Sequence, residues 1–235
     1  MKLNLTFDRM PATNHKTLAD ALVKFFTALE TPKVPRGISV MNPYQDRETM
    51  DAVRAFYRKF FHDSRPRTLL LGINPGRFGA GATGISFTDP TRLETVCGIP
   101  NHLPKKPELS SDFIYRMIAA FGGPETFYAR YLVSAVSPLG FTRDGKNINY
   151  YDDKKLEEAI RPFASRCISQ LMEMGLKREV CYCIGEGKNF DYLHELNQEH
   201  HWFDQIIPLA HPRFIMQYRR KQLETYIKQY IDLLA

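Results

Sequence analysis

A chain of 235 residues, 43% hydrophobic and 12% aromatic, can bury a sizeable core and fits one domain better than two. No apolar run approaches the roughly 20 residues a membrane-spanning helix needs, and the opening Met1-Lys2-Leu3-Asn4-Leu5-Thr6-Phe7-Asp8 lacks the apolar core of a signal peptide, so a cytoplasmic location is expected. The formal charge of +6 admits a polyanionic partner, and the four cysteines (Cys97, Cys167, Cys181, Cys183) contain no CxxC pair, which argues against a disulfide framework, a zinc ribbon or an iron–sulfur cluster.

Thr17 to Leu29 places Leu18, Ala21, Leu22, Phe25, Phe26 and Leu29 at helical spacing, and the proline-rich Thr31 to Gly37 follows as a stiff connector. Met50 to Phe61 repeats the helical pattern behind a Thr49 cap. Residues 1–62 are therefore expected to be an N-terminal helical extension packed on a single domain spanning 1–235. Arg67 to Ile73 is a short apolar run ended by Asn74-Pro75-Gly76, the profile of a buried parallel strand opening into a loop. Tyr131–Val136, Glu179–Ile184 and Gln205–Leu209 have the same character. Within the third run, Cys181 and Cys183 alternate onto one face and read as buried packing.

Helical patterns lie between these runs: Ser111 to Phe121, Asp153 to Met174 with a candidate break at Pro162, Asn189 to Leu196, and a last helix from Phe214 to Leu234. Strands alternating with helices predict an α/β fold, a central four-stranded, mainly parallel sheet flanked by helices. Ligands of such sheets sit beyond the carboxyl ends of the strands. Loops 74–87, 137–142, 185–188 and 211–213 should therefore share one rim.

The stretch Gly72 to Phe87 holds five glycines and two aromatics, which suggests a backbone brought close to a ligand. It contains no GK[ST], and its spacing does not give GxGxxG after the strand, so a nucleotide-phosphate loop of those types is disfavoured. Gly72-Ile73-Asn74-Pro75-Gly76, then Phe78-Gly79, then Thr83-Gly84 and Phe87, resemble without a gap the first motif of the single-strand-selective monofunctional uracil-DNA glycosylases, G-M-N-P-G-P-F-G followed by T-G-V-P-F. The resemblance implies that Asn74 positions the attacking water and that Phe87 stacks on an extruded base. It also places Gly72, Ile73, Pro75, Gly76 and Phe78 around that base.

His211-Pro212 resembles the start of the family's second motif, H-P-S-P-R, whose His contacts the base carbonyl and whose remainder wedges into the duplex. From Arg213-Phe214-Ile215-Met216 the sequence departs from it. Ser137-Pro138-Leu139 resembles the family's C-P-L, and Ile184-Gly185-Glu186-Gly187 its V-G-x-G strand end. The family's base-reading Asn falls at Ala135, beside Ser134, and neither residue offers the two-point contact of an amide. In the same resemblance Gly76 leaves room near the 5-position of a uracil.

The chemistry agrees with the resemblance. Base excision needs an aromatic platform, donors for the charge developing on the base, and an oriented water. Phe87, His211 with loop amides around Gly76, and Asn74 supply these in turn. An amide is not basic, so Asn74 orients water rather than taking its proton. No lysine nucleophile is required, so hydrolysis leaving an abasic site, without strand cleavage, is expected. No cofactor is expected, and no metal, because His194-Glu195 is followed by Gln198 where HExxH needs a histidine.

The expected partner is DNA, met by a monomer, with Arg77, Pro212, Arg213, Arg219, Arg220 and Lys221 on the backbone and Arg143 and Lys146 as further cations. Phe214, Ile215, Met216 and Tyr218 are apolar wedge candidates. Such an enzyme is expected with the nucleoid, or in the nucleus of a eukaryote. A non-catalytic binder of damaged or single-stranded DNA and an enzyme of small nucleotides are the rival readings.

Overall fold

A computed structural model describes residues 17–235, so the expectations for the first eight residues lie outside the described part. In chain order the elements are α1 (Leu18–Thr27), β1 (Ile38–Met41), α2 (Arg47–Phe60), β2 (Thr68–Gly72), α3 (Ala80–Thr83), α4 (Pro90–Thr95), α5 (Leu109–Ala120), α6 (Pro124–Tyr128) and β3 (Tyr131–Ala135). There follow β4 (Gly140–Arg143), β5 (Lys146–Ile148), α7 (Lys154–Glu173), β6 (Val180–Ile184), α8 (Lys188–His200), β7 (Gln205–Leu209), α9 (Pro212–Tyr218) and α10 (Leu223–Leu234).

The four expected strands form one wholly parallel sheet in the order β3-β2-β6-β7. Its centre is dry: Leu69, Leu70 and Leu71 of β2 and Cys181 and Cys183 of β6 are all 0% exposed, as expected of strands covered on both faces by crossover helices. All four thiols are free and buried, and burial pushes those of Cys167 and Cys183 up to about 12. They are packing groups with little thiolate character at neutral pH. One continuous apolar cluster runs from Leu18 in α1 to Leu234 in α10, so the first helices share the core of the sheet. Among the described residues no helix is long and apolar enough to cross a membrane.

The structure departs from the sequence expectations in several places. A second, three-stranded antiparallel sheet, β1-β4-β5, joins the N-terminal stretch to the middle of the chain. Its hairpin turns on Asp144 and Gly145, with φ of +50° and +69°, which is the positive-φ pair that a two-residue hairpin loop demands. Helix α2 starts at Arg47 behind Asp46, whose carboxylate accepts from the Thr49 amide at 2.8 Å. Thr49 instead lies within the first turn, where its hydroxyl donates to the Ala82 carbonyl at 3.0 Å.

Pro162 does not break α7. The missing amide orphans the carbonyl one turn earlier at Glu158, and both residues face solvent, where water can satisfy it. The last helix, by contrast, is not continuous: α9 stops at Tyr218, a 3-10 turn spans Arg220–Gln222, and α10 begins at Leu223. Arg219, Arg220, Lys221 and Gln222 carry no apolar stripe to hold a helix against the core there.

Candidate active site

The carboxyl ends of the parallel strands open into a cleft of about 430 Å³. Strand β2 delivers its floor. Gly72 ends the strand, and a Cβ there would stand 2.7 Å from Cε2 and 2.8 Å from Cζ of Phe87. The ring therefore lies against bare backbone, and only glycine permits it. Phe87 itself has φ of +53°, a left-handed conformation unusual for a bulky side chain. That strain is held by the surrounding loop, where the buried Thr83 hydroxyl donates to the Thr88 carbonyl at 2.7 Å.

Asn74 is fixed at both ends of its amide by the end of β5 and the segment that follows it. Its Oδ1 accepts from the Tyr150 amide at 3.0 Å, and its Nδ2 donates to the Ile148 carbonyl at 3.3 Å. A flipped amide would face oxygen to oxygen and N–H to N–H, so the main chain alone dictates the orientation. The oxygen keeps a second lone pair.

His211 caps α9. Its Nδ1 accepts from the Arg213 amide at 3.1 Å, which leaves the proton of the neutral ring on Nε2. Burial, seconded by the charge of Arg213, lowers its pKa from 6.5 to about 4, so the ring is neutral at physiological pH and a donor through Nε2. The imidazole and Phe87 ring centres are 6.0 Å apart, with their planes at 54°. Gly185, at the end of β6, backs the histidine: a Cβ there would lie 3.7 Å from its Cδ2.

Of the residues picked from sequence, Gly72, Ile73, Asn74, Pro75 and Gly76 line the cleft together with Phe87. Ser134 and Ala135 of β3 join them, and so do His211 and Arg213. Phe78 does not. Its side chain turns outward, 39% exposed, with the Arg77 guanidinium 5.2 Å and the Lys106 ammonium 5.0 Å from its ring centre. Phe78 lies in the turn over 77–79, where the Gly79 and Gly81 amides donate to the Gly76 carbonyl at 3.3 and 2.9 Å, and this turn leaves its ring outside the cleft lining. Arg77 is likewise outside, and Pro212 is buried as the first residue of α9. Arg219 lies over Phe214 at 5.3 Å, while Arg220 and Lys221 sit in the following turn, away from the cleft lining. Of the wedge candidates, Ile215 and Met216 are buried and excluded from that role, whereas Phe214 and Tyr218 are 40% and 68% exposed at the mouth.

Sequence reasoning missed one wall entirely. Asn147, Ile148, Asn149 and Tyr151 come from the hairpin and its exit, and Glu108 and Ser110 from the start of α5. The Asp144-Gly145 pair was the signal for that hairpin.

A family model for the uracil DNA glycosylase superfamily matches residues 58–235. The chain belongs to that superfamily. Among solved structures, this uracil-DNA glycosylase superfamily member is similar to the crystal structure of wild-type SMUG2 of Pedobacter heparinus, with 45% identity and a TM-score of 0.91 over 94% of this chain and 97% of that one. No curated protein matches it. The four-stranded parallel sheet flanked by helices is thus the superfamily's α/β fold. Its carboxyl edge holds an oriented amide, an aromatic floor and a neutral imidazole donor in one cleft. Such a set can seat a planar base, withdraw charge from it and hold a water, and it offers no strong nucleophile among these groups.

Proposed function

We propose that the cleft hydrolyses the N-glycosidic bond of uracil, or of a related damaged base, in DNA and leaves an abasic site. Superfamily membership and the likeness to a SMUG2 support a uracil-DNA glycosylase-type hydrolase. The observation that carries the finer reading is the fixed amide of Asn74, gripped by Ile148 and Tyr150 in the cleft floored by Phe87.

In this reading the target nucleotide leaves the stack and its base lies on Phe87. As the glycosidic bond lengthens, positive charge gathers on the sugar and negative charge on the base. The Nε2–H of His211 then donates to a base oxygen, an interaction stronger in the transition state than in the ground state. A neutral imidazole keeps the donor without protonating the leaving group. The free lone pair of Asn74 Oδ1 aligns a water on the sugar carbon. The water's oxygen forms the new C–O bond, its proton passes to solvent, and the base departs as an anion that is protonated afterwards. No amine forms a covalent adduct, so the strand stays intact. Arg213 at the mouth, and Arg77 and Lys106 outside it, provide charge for the phosphates.

The test is alkaline cleavage of labelled oligonucleotides carrying uracil, hydroxymethyluracil, xanthine, hypoxanthine or thymine opposite guanine. Alkali-dependent breaks that fall sharply in Asn74→Ala and His211→Ala are expected. Binding without base release at any enzyme excess would move the non-catalytic reading ahead.

A further inference from the structure

Resting on that reading of Asn74, we infer that Tyr150 and Asn189 are positioning residues: their buried side-chain hydrogen bond holds the Tyr150 main-chain amide where it fixes the water-aligning amide of Asn74. The Tyr150 hydroxyl donates to Asn189 Oδ1 at 2.7 Å, and the two residues are 0% and 1% exposed. Asn189 Nδ2 donates in turn to the Ile184 carbonyl at 3.3 Å and meets Cys183 Sγ at 3.2 Å. The side chain of Asn189, in the first turn of α8, therefore clamps the linker after β5 to the carboxyl end of β6.

The same clamp reaches the other half of the cleft. Gly185 follows Ile184 and donates its amide to the Leu209 carbonyl at 2.8 Å, and a Cβ there would lie 3.4 Å from Asn189 Cβ and 3.7 Å from His211 Cδ2. One buried amide thus joins Tyr150, whose main chain holds Asn74, to the strand end whose next residue, Gly185, stands beside His211.

Packing alone does not call for these groups. The Tyr150 ring already sits among Tyr151 and Tyr192, with ring centres 5.1 and 4.8 Å away, and a phenylalanine there with an aliphatic residue at 189 would fill the space without desolvating a hydroxyl and an amide. What the pair adds is direction. The linker between β5 and α7 is otherwise a short 3-10 turn, Tyr150–Asp152, and its first amide is the one Asn74 uses. Fractions of an ångström there rotate the Asn74 amide, and misplaced orienting groups cost rate rather than affinity.

The experiment compares wild type with Tyr150→Phe, Asn189→Leu and the double variant. It reads melting temperature, affinity for DNA carrying a tetrahydrofuran abasic analogue, the single-turnover rate on uracil DNA at saturating enzyme, and the NMR signals of the Asn74 side-chain amide, assigned with Asn74→Ala. In Tyr150→Phe the rate should fall about tenfold, with DNA affinity unchanged and the Asn74 amide signals shifted. The double variant removes both partners of the Tyr150–Asn189 bond but also the donor to the Ile184 carbonyl, so its melting temperature should recover in part while the rate and the Asn74 signals do not. Unshifted Asn74 signals in Tyr150→Phe, or their recovery together with the rate in the double variant, would overturn the inference. A wild type that releases no base would instead defeat the glycosylase reading, and the Asn74 signals would still decide whether Tyr150 and Asn189 position that amide.

Discussion

Gly72 and Phe87 occupy one another's space: the ring edge stands 2.7 Å from where a Cβ of residue 72 would be. A methyl group there must push the ring off the strand end or bend β2, which is paired on both sides by β3 and β6. The ring is the softer of the two, although its positive φ leaves few alternative conformations. Gly72→Ala should therefore cost about 1–3 kcal/mol in stability, as overpacking does, and should lower base release by a larger factor than Phe87→Leu, which keeps an apolar floor. Paired thermal melts and single-turnover rates on uracil DNA check both statements; a Gly72→Ala enzyme of wild-type rate would remove Phe87 from the mechanism.

At Asn74 the amide and its acid isostere make a sharper comparison than alanine alone. Alanine abolishes the water contact, and a loss of about 10²–10³ in rate is expected by analogy with removing one preorganised hydrogen-bonding group. Aspartate can still accept from the Tyr150 amide, but its other oxygen must face the Ile148 carbonyl. It gains basicity in return. Asn74→Asp should retain more activity than Asn74→Ala and gain a dependence on pH near the carboxylate range, read from rate against pH.

The parallel sheet was legible because each buried strand reads as an apolar run closed by turn residues, and Gln205–Leu209 has the same limits in sequence and structure. The glycine-rich loop and His211 were legible because their neighbours in sequence are their neighbours in space. The wall from Asn147 to Tyr151 was not, because its residues join the site through pairing of β5 with β4 and of β4 with β1, a contact between stretches about a hundred residues apart. Strand β5 is also three residues long and mostly exposed, so it carries no apolar alternation to detect. Phe78 was misplaced for a related reason. Proximity in sequence to Asn74 says nothing about the side on which a side chain emerges once the chain reverses in the turn closed by Gly76 and Gly79.

Away from the cleft, Arg67 is wholly buried, and its guanidinium is shared between the Tyr128 carbonyl at 2.8 Å and both oxygens of Asp63 at 2.9 and 3.1 Å. Those hydrogen bonds hold the Asp63 carboxyl well below its ordinary range. Asp63→Ala leaves the charge without its partner, a change that costs about 3–5 kcal/mol in buried pairs and less where the carboxylate is partly wet. Because the folded form depresses this pKa, its contribution is present above the ordinary carboxylate range and is lost as pH falls through and below that range. Urea denaturation at a series of pH values should show a steeper acid loss in wild type than in Asp63→Ala, with base release at neutral pH unaffected well below the melting point.

His211 makes the opposite of the usual histidine prediction for activity. An unperturbed imidazole would change charge near pH 6.5, whereas this one, lowered to about 4, stays neutral until far more acidic conditions. Protonation at Nδ1 would set an N–H against the Arg213 amide that it now accepts from, break the cap of α9 and turn the ring. Base release should therefore show no histidine limb between pH 8 and about 5 and should fall only as the pH nears 4. For stability the sign follows from proton counting: between about 4 and 6.5 the unfolded chain binds a proton that the folded chain refuses, so stability is lost as pH drops across that window. His211→Asn should flatten that acid loss while lowering the rate. A rate limb near pH 6.5 in wild type that vanishes in the variant would show that His211 acts as imidazolium.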